Sequence, residues 1–586
     1  MDNTEVARRL DELADLLEIQ GSNPFRIRAY RNAIRTIQGL TQSLQEMVAR
    51  EEDLTALQGI GKDISAHIHE LLETGGLALL DEVVQEVPRE LTILTQLEGV
   101  GPKKVARLWR ELGVVTVDDL EAAVESGRVE ALDGFGAKSA SSIHRAIQDF
   151  RKHQGRFLRM EAAALLEGLL DHLRDSPELQ RLEVAGSFRR GMDTVGDIDL
   201  LALVENAPVE GPGESPSPGE PLPPLMERFI TFPGVERVDR SGPTRGRVVL
   251  SSGLSVDLRI LPQEVYGAAL HYFTGSKEHN VELRSLARDR GLKISEYGVF
   301  KEEKRVGGAT EEEIFQAVDL PWIPPVLREG RGELAAATEG GLPQLVEMAD
   351  IRGDLHMHST WSDGKNTLEE MVEACVARKY AYMAITDHSR SLGVANGLSI
   401  ERLRQQSAEV ERLQEAFPGI RILKGSEVDI LKDGSLDFPD EVLEELDIVV
   451  AAVHTHFQLR QSEMTERIIR ALSHPQVDIL AHPTGRLLNR REPYAVDVEA
   501  VLEAAGEYDV AVEMNANPHR LDLHDRHLFR ARELGLKVAV DTDAHRVTQL
   551  DFMESGLEQA KRGWLESQDV VNTLDLVGLE GWLGRC

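Results

Sequence analysis

The sequence predicts a multidomain chain: an α-helical N-terminal region of helix-hairpin-helix units, a mixed α/β domain, a small α/β subdomain, and a C-terminal distorted (β/α)7 barrel. Three observations predict it. A leucine followed by G-hydrophobic-G occurs three times before residue 140, each time at a helix start. Asp197 and Asp199 open the apolar run DIDLLALV. Beyond residue 351, seven strand-like runs alternate with helical patterns, and most end in His, Asp or Glu. A chain of 586 residues, 41 % hydrophobic, has room for several such domains with ordinary cores.

Residues 1–78 read as all-helical and as a DNA-end-binding domain. In NPFRIRAYRNAIRTI (23–37), Arg26, Arg28, Arg31 and Arg35 interleave with Phe25, Ile27, Tyr30 and Ile34. Arginines among aromatics suit a DNA backbone and end; a basic amphipathic helix facing solvent is the plainer alternative. The glycine repeat is LQGIGKD (57–63), LEGVGPKK (97–104) and LDGFGAKS (132–139). Two glycines let backbone N–H groups at a helix start approach a phosphate with no Cβ in the way. One G-x-G is a common turn between helices, but three at near-regular spacing indicate DNA-backbone binding without sequence preference. Its residues are Gly59, Gly61, Lys62, Gly99, Gly101, Lys103, Lys104, Gly134, Gly136 and Lys138. Residues 79–150 form the second helical domain.

Residues 151–262 carry the acidic strand. Strand side chains alternate faces, so Asp197 and Asp199 point the same way while Ile198, Leu200 and Ala202 fill the other face. Two carboxylates on one face raise each other's pKa unless a cation lies between them, and Mg²⁺ or Mn²⁺ removes that cost. Just upstream, Gly186, Ser187, Arg189 and Arg190, followed by Gly196, form a glycine turn with arginines that suits a triphosphate. A lone D-x-D is as readily a solvated strand end paired to Arg190; the neighbouring turn favours the metal reading. Asp257, in the alternating run LSVDLRI, supplies a third carboxylate. Three such groups beside a phosphate cradle indicate phosphoryl transfer with two metal ions. The segment 205–224, dense in Pro, Gly and Glu, reads as a mobile loop within this domain.

GSFRRG…GDIDLL, VDLR and YFTGSKEHNVELR (272–284) resemble the palm and nucleotide-binding region of the X-family DNA polymerases, typified by DNA polymerase beta, over roughly residues 1–325. The resemblance implies a nucleotidyltransferase palm at 151–262 and a nucleotide-selecting subdomain at 263–325. It implies that Arg156 contacts the triphosphate, that Tyr272 and Phe273, with Gly275 in YFTGS, pack against the sugar, and that Asn280 and Arg284 reach the nascent base pair. Lys277 lies where it can stack on the incoming base. The alternative for Tyr272 and Phe273 is ordinary core packing. The family's lyase lysine aligns with His67, a departure that argues against lyase activity unless Lys62 substitutes. Residues 326–348 lack a core pattern and read as an exposed linker.

The domain at 349–586 contains the strand-like runs RGDLHMHS, AYMAITDH, RILKGSEVD, DIVVAAVHTH, DILAHP, VAVEMNAN and KVAVDTDAH, with helical patterns such as LEEMVEACVARK between them. In (β/α) barrels chemistry gathers at the C-terminal strand ends. One histidine there is more often structural than a ligand. The set His356, His358, Asp363, His388, Glu427, His454, His482, Asp543 and His545 is large enough for up to three divalent metals such as Zn²⁺, Mn²⁺ or Fe²⁺. His456 is a candidate substrate contact. HMHS…SDG, TDHS, GSEVD, HP and DTDAH resemble the polymerase-and-histidinol-phosphatase (PHP) domain. By that resemblance His356, His358, Glu427 and Asp543 hold one metal, Glu427, His454 and His482 a second, and Asp363, His388 and His545 a third.

Taken together, the resemblances imply a template-directed, gap-filling DNA polymerase acting in DNA repair, with a metal-dependent 3′→5′ exonuclease in the PHP domain. Abasic-site endonuclease or 3′-end cleaning stays open. The rivals are a template-independent nucleotidyltransferase and a DNA-end-binding scaffold with decayed sites. The expected partners are gapped or primer-template DNA and deoxynucleoside triphosphates, and the chain is expected to be a monomer. No apolar run reaches membrane-spanning length, so no membrane is expected among its partners. MDNTEVARRLDELADLLEIQ has an amphipathic pattern and not the order of a signal peptide. Two cysteines, Cys375 and an exposed Cys586, make no disulfide framework, and a reduced cytoplasmic chain is expected. The net charge of −34 argues against broad DNA attraction, so binding should rest on local patches and depend strongly on salt.

Overall fold

The computed structural model describes residues 3–38, 44–50, 52–57, 59–95, 97, 99–153, 155–205, 207 and 222–584. The segment 205–224 lies mostly outside the described residues, and Cys586 lies wholly outside them. The chain divides into two compact units, one over 1–154 and 489–491 and the other over 155–488 and 492–586.

Among the described residues up to 153, the regular elements are all helices. One apolar core runs from Val6 to Ile147 and takes side chains from both expected N-terminal domains. Its helices start and stop where local chemistry says they should. Gly101 precedes Pro102–Leu112, Pro102 occupies the first turn, and Gly113 ends the helix in left-handed conformation (φ 70°). Thr116 and Asp119 form a capping box at Val117–Glu125.

Among the described residues, the second unit holds four sheets. The palm sheet has the strand order Leu179–Val184, Asp197–Val204, Ser255–Leu261, Arg245–Leu250, Val235–Ser241. The two acidic strands pair in parallel, which sets Asp199 directly opposite Asp257. Past Asp199 the strand is buried on both faces. Leu200 and Ala202 enter the main palm core, while Leu201 and Leu203 pack with Tyr266 and Leu270 of the helix Gln263–Thr274.

Seven parallel strands in consecutive order form the C-terminal sheet, from Gly353–Asp354 to Val538–Asp541. Tyr382–Ile385, Ile448–Ala452 and Val538–Asp541 are buried at every residue, as parallel strands covered on both faces must be. The ends of the sheet meet through a bridge between Met357 and Ala544 and a hydrogen bond from Leu355 N–H to Asp541 Oδ1 at 2.8 Å. The result is a nearly closed (β/α)7 barrel, as expected.

Residues 326–348 differ from an exposed linker. They carry the helix Glu333–Glu339, and Leu327, Leu334 and Ala337 share a core with Trp564 of the barrel domain. Arg328 and Glu333 are fully buried. Their partners explain it: Glu311 accepts from Arg328 Nη1 at 2.7 Å, and Glu333 lies 2.7 Å from His279 Nδ1. No core periodicity marked the segment because two of the six residues it buries, Arg328 and Glu333, are charged. Among the described residues, no helix is long and apolar enough to cross a membrane.

Candidate active sites

The palm site lies at the start of its central strands. Asp197 is exposed, and Asp199 and Asp257 are half-buried. Burial, then Asp197 and Asp257, push the Asp199 carboxyl up to about 6. Burial also raises Asp257, against the pull of Arg247, whose Nη1 is 3.1 Å from Asp257 Oδ2. Gly186 has φ +66°, and a Cβ there would stand 3.0 Å from Asp199 Oδ2, so the turn and the acid are in contact. Arg190 donates Nε–H to Glu329 Oε1 (2.9 Å) and Nη1–H to Thr274 O (2.6 Å). Arg189 is committed to structure, holding Glu311 through both Nη atoms (2.8 and 2.7 Å). Arg156 bonds Thr194 Oγ1 and O, and its Nη1 would lie 3.6 Å from a Cβ at Gly196.

In the adjoining subdomain, the half-buried Tyr272 and Phe273 stand edge to face at 5.1 Å. Arg259 from the palm lies 4.0 Å over the Phe273 ring, which ties this pair to the acidic strands. Asn280 donates to Tyr272 O (2.8 Å), and its Oδ1 is buried without a hydrogen-bond partner. Arg284 Nε donates to Asn280 O, and Lys277 is exposed.

The barrel gathers all nine expected ligand candidates at or just past C-terminal strand ends. His356 Nε2 and His358 Nε2 are 3.2 Å apart, and Asp543 Oδ1 is 3.2 Å from His358 Nε2. Glu427 divides its oxygens. Oε1 faces His482 Nε2 (2.9 Å) and His454 Nε2 (3.2 Å), while Oε2 faces His388 Nδ1 (2.7 Å), His356 Nε2 (3.5 Å) and His358 Nε2 (3.6 Å). Asp363 Oδ1 lies 3.2 Å from His545 Nε2 and 3.6 Å from His388 Nε2. Ligand atoms of His358, Asp363, His388 and His545 fall within 4.8 Å of one another, as do those of His356, His358 and Asp543, and those of His388, Glu427 and His454. His358 and His388 therefore sit between the expected sets. His456 is exposed and joins none of these contacts among the described residues.

Atoms bound to one ion at about 2.0–2.1 Å lie about 3–3.4 Å apart, which the closest pairs match. Glu427 Oε2 is buried with no hydrogen-bond partner, aimed at histidine nitrogens. The residues fit divalent cations. Charge supports it: burial opposes ionisation of Glu427 and Asp543, yet the surrounding histidines hold both well below the usual carboxylate range.

A row of residues supporting these groups escaped the sequence reading. Glu513 Oε1 shares a 2.6 Å hydrogen bond with His356 Nδ1, and Asp429 Oδ1 one of 2.7 Å with His454 Nδ1, which leaves each Nε2 for a ligand role. Asn515 Nδ2 bridges Glu513 and Asp543 (3.1 and 3.2 Å). Asp387 binds Ser359 and Ser362 in the loop that carries Asp363. A signal existed: Asp429 shares a strand face with Glu427, and Asn515 with Glu513.

In the helical unit, Gly61 and Gly101 have ordinary φ values (−86° and −75°), and a Cβ at either would meet nothing within 4 Å. The fold does not require glycine at either position, and the space beside each is open. Gly59, Gly99, Gly134 and Gly136 have positive φ, and Lys62, Lys103, Lys104 and Lys138 are exposed. Lys104 Nζ donates to Gly99 O at 2.7 Å. Arg31, expected among the DNA-facing arginines, is instead paired with Asp11 and Asp15. His67 stacks on Tyr30 and shares a 3.0 Å hydrogen bond with its hydroxyl.

Known families match in the same order along the chain: a helix-hairpin-helix domain at 1–77, a SAM-like helix-hairpin-helix tandem at 91–149, the DNA polymerase beta thumb at 269–329 and a PHP domain at 354–517. A polymerase-beta-type thumb and a PHP barrel on one chain define a class in which a polymerase is joined to a PHP domain. Over 591 residues, all of both chains, the sequence is 40 % identical to the DNA polymerase/3′-5′ exonuclease PolX of Bacillus subtilis (strain 168). The chain belongs to the bacterial PolX family. DNA polymerase lambda of Rattus norvegicus is 25 % identical over 355 residues, 56 % of each chain. A probable phosphatase of Thermoanaerobacter sp. (strain X514) is 31 % identical over 232 residues, 38 % of this chain and 89 % of its own. The thumb match runs to 329, past the expected boundary at 325, and takes in Arg328 and Glu329.

Proposed function

We propose that the chain is a template-directed, gap-filling DNA polymerase with a 3′→5′ exonuclease in its PHP domain, acting as a monomer in DNA repair in the bacterial cytoplasm. The observation that carries the reading is the in-register pairing of Asp199 with Asp257 beside Asp197, in contact with the Gly186 turn. In this reading Asp197, Asp199 and Asp257 hold two Mg²⁺ or Mn²⁺ ions, and Ser187, Arg190 and Arg156 hold the triphosphate. Cations bound there supply Lewis-acid stabilisation of the transferring phosphoryl group. Arg190, fixed at Nε and Nη1, presents a pre-oriented guanidinium to an anion. Tyr272 and Phe273 crowd the sugar, and Asn280 and Arg284 read the nascent pair. The hairpin glycines and their lysines grip DNA phosphates.

In the barrel, the nine ligand candidates hold up to three ions of the Zn²⁺, Mn²⁺ or Fe²⁺ type, with Glu427 shared between them. Glu513 and Asp429 keep His356 and His454 in the tautomer whose Nε2 lone pair faces the cluster. The likeness to a probable phosphatase favours a second activity of this site, removal of 3′-phosphates from DNA ends. His67 in the lyase position, hydrogen-bonded to Tyr30, supports a chain without deoxyribose-phosphate lyase activity.

The test is extension of a gapped primer with and without template, for the parent chain and Asp199→Asn. Template-dependent incorporation should fall by on the order of 10³-fold or more in the variant, with gapped-DNA affinity near the parent's. Normal extension by Asp199→Asn would sink the palm assignment, and equal extension without template would favour the rival transferase. A 3′-phosphorylated primer assayed in parallel reports the phosphatase activity.

A further inference from the structure

One helix of the barrel domain, Met553–Arg562, holds the turn 186–191 directly at two points and at a third through Arg159. Glu558 Oε1 accepts from Arg159 Nη2 at 3.0 Å, and its Oε2 makes an ion pair with Arg159 Nη1 at 2.6 Å. Arg159 in turn donates Nε–H to Phe188 O at 3.1 Å and lies 4.9 Å over the Phe188 ring. Gln559 Nε2 donates to Gly191 O at 2.7 Å. Arg562 Nη1 donates to Arg190 O at 2.6 Å and to Glu329 Oε1 at 2.8 Å. The same Glu329 oxygen accepts from Arg190 Nε. Asp525 Oδ2, 2.6 Å from Arg562 Nη2, fixes the far side of the fork. Gln559 and Arg562 are buried.

We propose that Arg562 and Gln559 are positioning residues for the nucleotide site, so that the PHP domain is a structural part of the polymerase. This rests on the reading that the turn 186–191 holds the triphosphate. The physical case has two parts. Three backbone carbonyls of the turn, at Phe188, Arg190 and Gly191, are tied to the helix or through Arg159, which holds the turn's shape before a ligand arrives. Arg562 also shares the negative charge of Glu329. Without it, Glu329 is left to Arg190 alone, and Arg190 attracts an incoming anion less.

The experiment uses the full chain in single-nucleotide gap filling, with KM and kcat for the deoxynucleoside triphosphate and 3′→5′ nuclease rate measured on the same preparations. Arg562→Met should raise KM about tenfold with kcat within about threefold, and Arg562→Lys should recover part of the loss. Gln559→Met should move KM the same way by less. Nuclease rates should stay at the parent level. If Arg562→Met melts far below the parent, Gln559→Met decides, since it removes one hydrogen bond and keeps the volume. Arg190→Ala separates two failures. If it raises KM while the helix variants do not, the brace is wrong and the triphosphate reading stands. If Arg190→Ala leaves KM unchanged, the turn is not the triphosphate site and the inference falls with it. A proportional loss of both activities in the helix variants would reduce the contact to fold stability and overturn the proposal.

Discussion

The palm and the barrel both crowd carboxylates at strand ends, and they contain the repulsion in opposite ways. The palm faces three acids together with no histidine among them. Its counter-charge comes from Arg247 and Arg259, Asp197 stays exposed, and the half-buried Asp199 is pushed up to about 6. The barrel interleaves its acids with histidines and buries six of the nine candidates, leaving Asp363, His454 and His545 half-buried. Burial opposes the charge on His356, but Glu513, Glu427 and Asp543 outweigh it and raise this group well above the ordinary histidine range. The first arrangement fits a site that takes cations with its substrate and gives them up. The second fits ions that stay, because removing them leaves buried donors facing one another.

The largest expected effect follows from that difference. A His356→Ala, His358→Ala chain should lose nuclease activity by on the order of 10²-fold or more, with incorporation within about threefold in a preparation that melts near the parent. Metal stripping tests the same contrast without mutation. Ions bound about a thousandfold above their dissociation constants contribute roughly 4 kcal/mol, so chelation should lower the barrel's melting temperature by about 8–16 °C. Incorporation should return as soon as Mg²⁺ is restored. A melting temperature indifferent to chelation would mean that the barrel does not depend on resident ions, and the comparison would break.

A smaller effect separates ligands from the groups that hold them. Glu513→Gln keeps the volume beside His356 but removes the charge, and it should weaken metal retention about 10- to 100-fold without abolishing nuclease activity at saturating metal. Competition with a chromogenic chelator measures it. Full nuclease loss at saturating metal would promote Glu513 to a ligand or to a direct role in the chemistry.

These groups divide along what a sequence can and cannot carry. The ligand candidates could be picked out because strand periodicity is local: Asp197 and Asp199, or His356 and His358, share a face whatever the rest of the chain does. The barrel was legible because its strands are apolar runs, most of them ending in a ligand type. Glu513 and Asp429 sat in quoted motifs but could not be told from spare acids, since their role depends on a histidine 157 or 25 residues away. The segment 326–348 was misjudged for a related reason. Arg328 and Glu333 look solvent-facing until Glu311 and His279 are placed against them. Arg31 carried the opposite error, since Asp11 and Asp15 on the preceding helix use up the charge assigned to DNA. The tie between Arg562 and the turn at 190 spans hundreds of residues and two folds, and no local pattern announces it.

The smallest effect tests whether the palm's arginine is a stand-in for a cation. Arg247 holds Asp257 at 3.1 Å, with its side chain 41 % exposed and that of Asp257 21 %. An ion pair this open is worth about 0.2–1 kcal/mol. An arriving divalent ion must displace that pairing, so Arg247→Gln should make the site easier to fill. The expected result is a half-saturating Mg²⁺ concentration lower by about 1.5- to 5-fold, the same energy expressed as a ratio, with kcat near the parent's. Titrating Mg²⁺ in single-nucleotide gap filling at fixed, saturating nucleotide reads it directly. No comparable gain is expected in the barrel, where the groups that neutralise the acids are themselves the ligand candidates. If Arg247→Gln instead raises the Mg²⁺ requirement, Arg247 helps to bind DNA or nucleotide, and the palm's counter-charge belongs to its substrate site as the barrel's histidines belong to theirs.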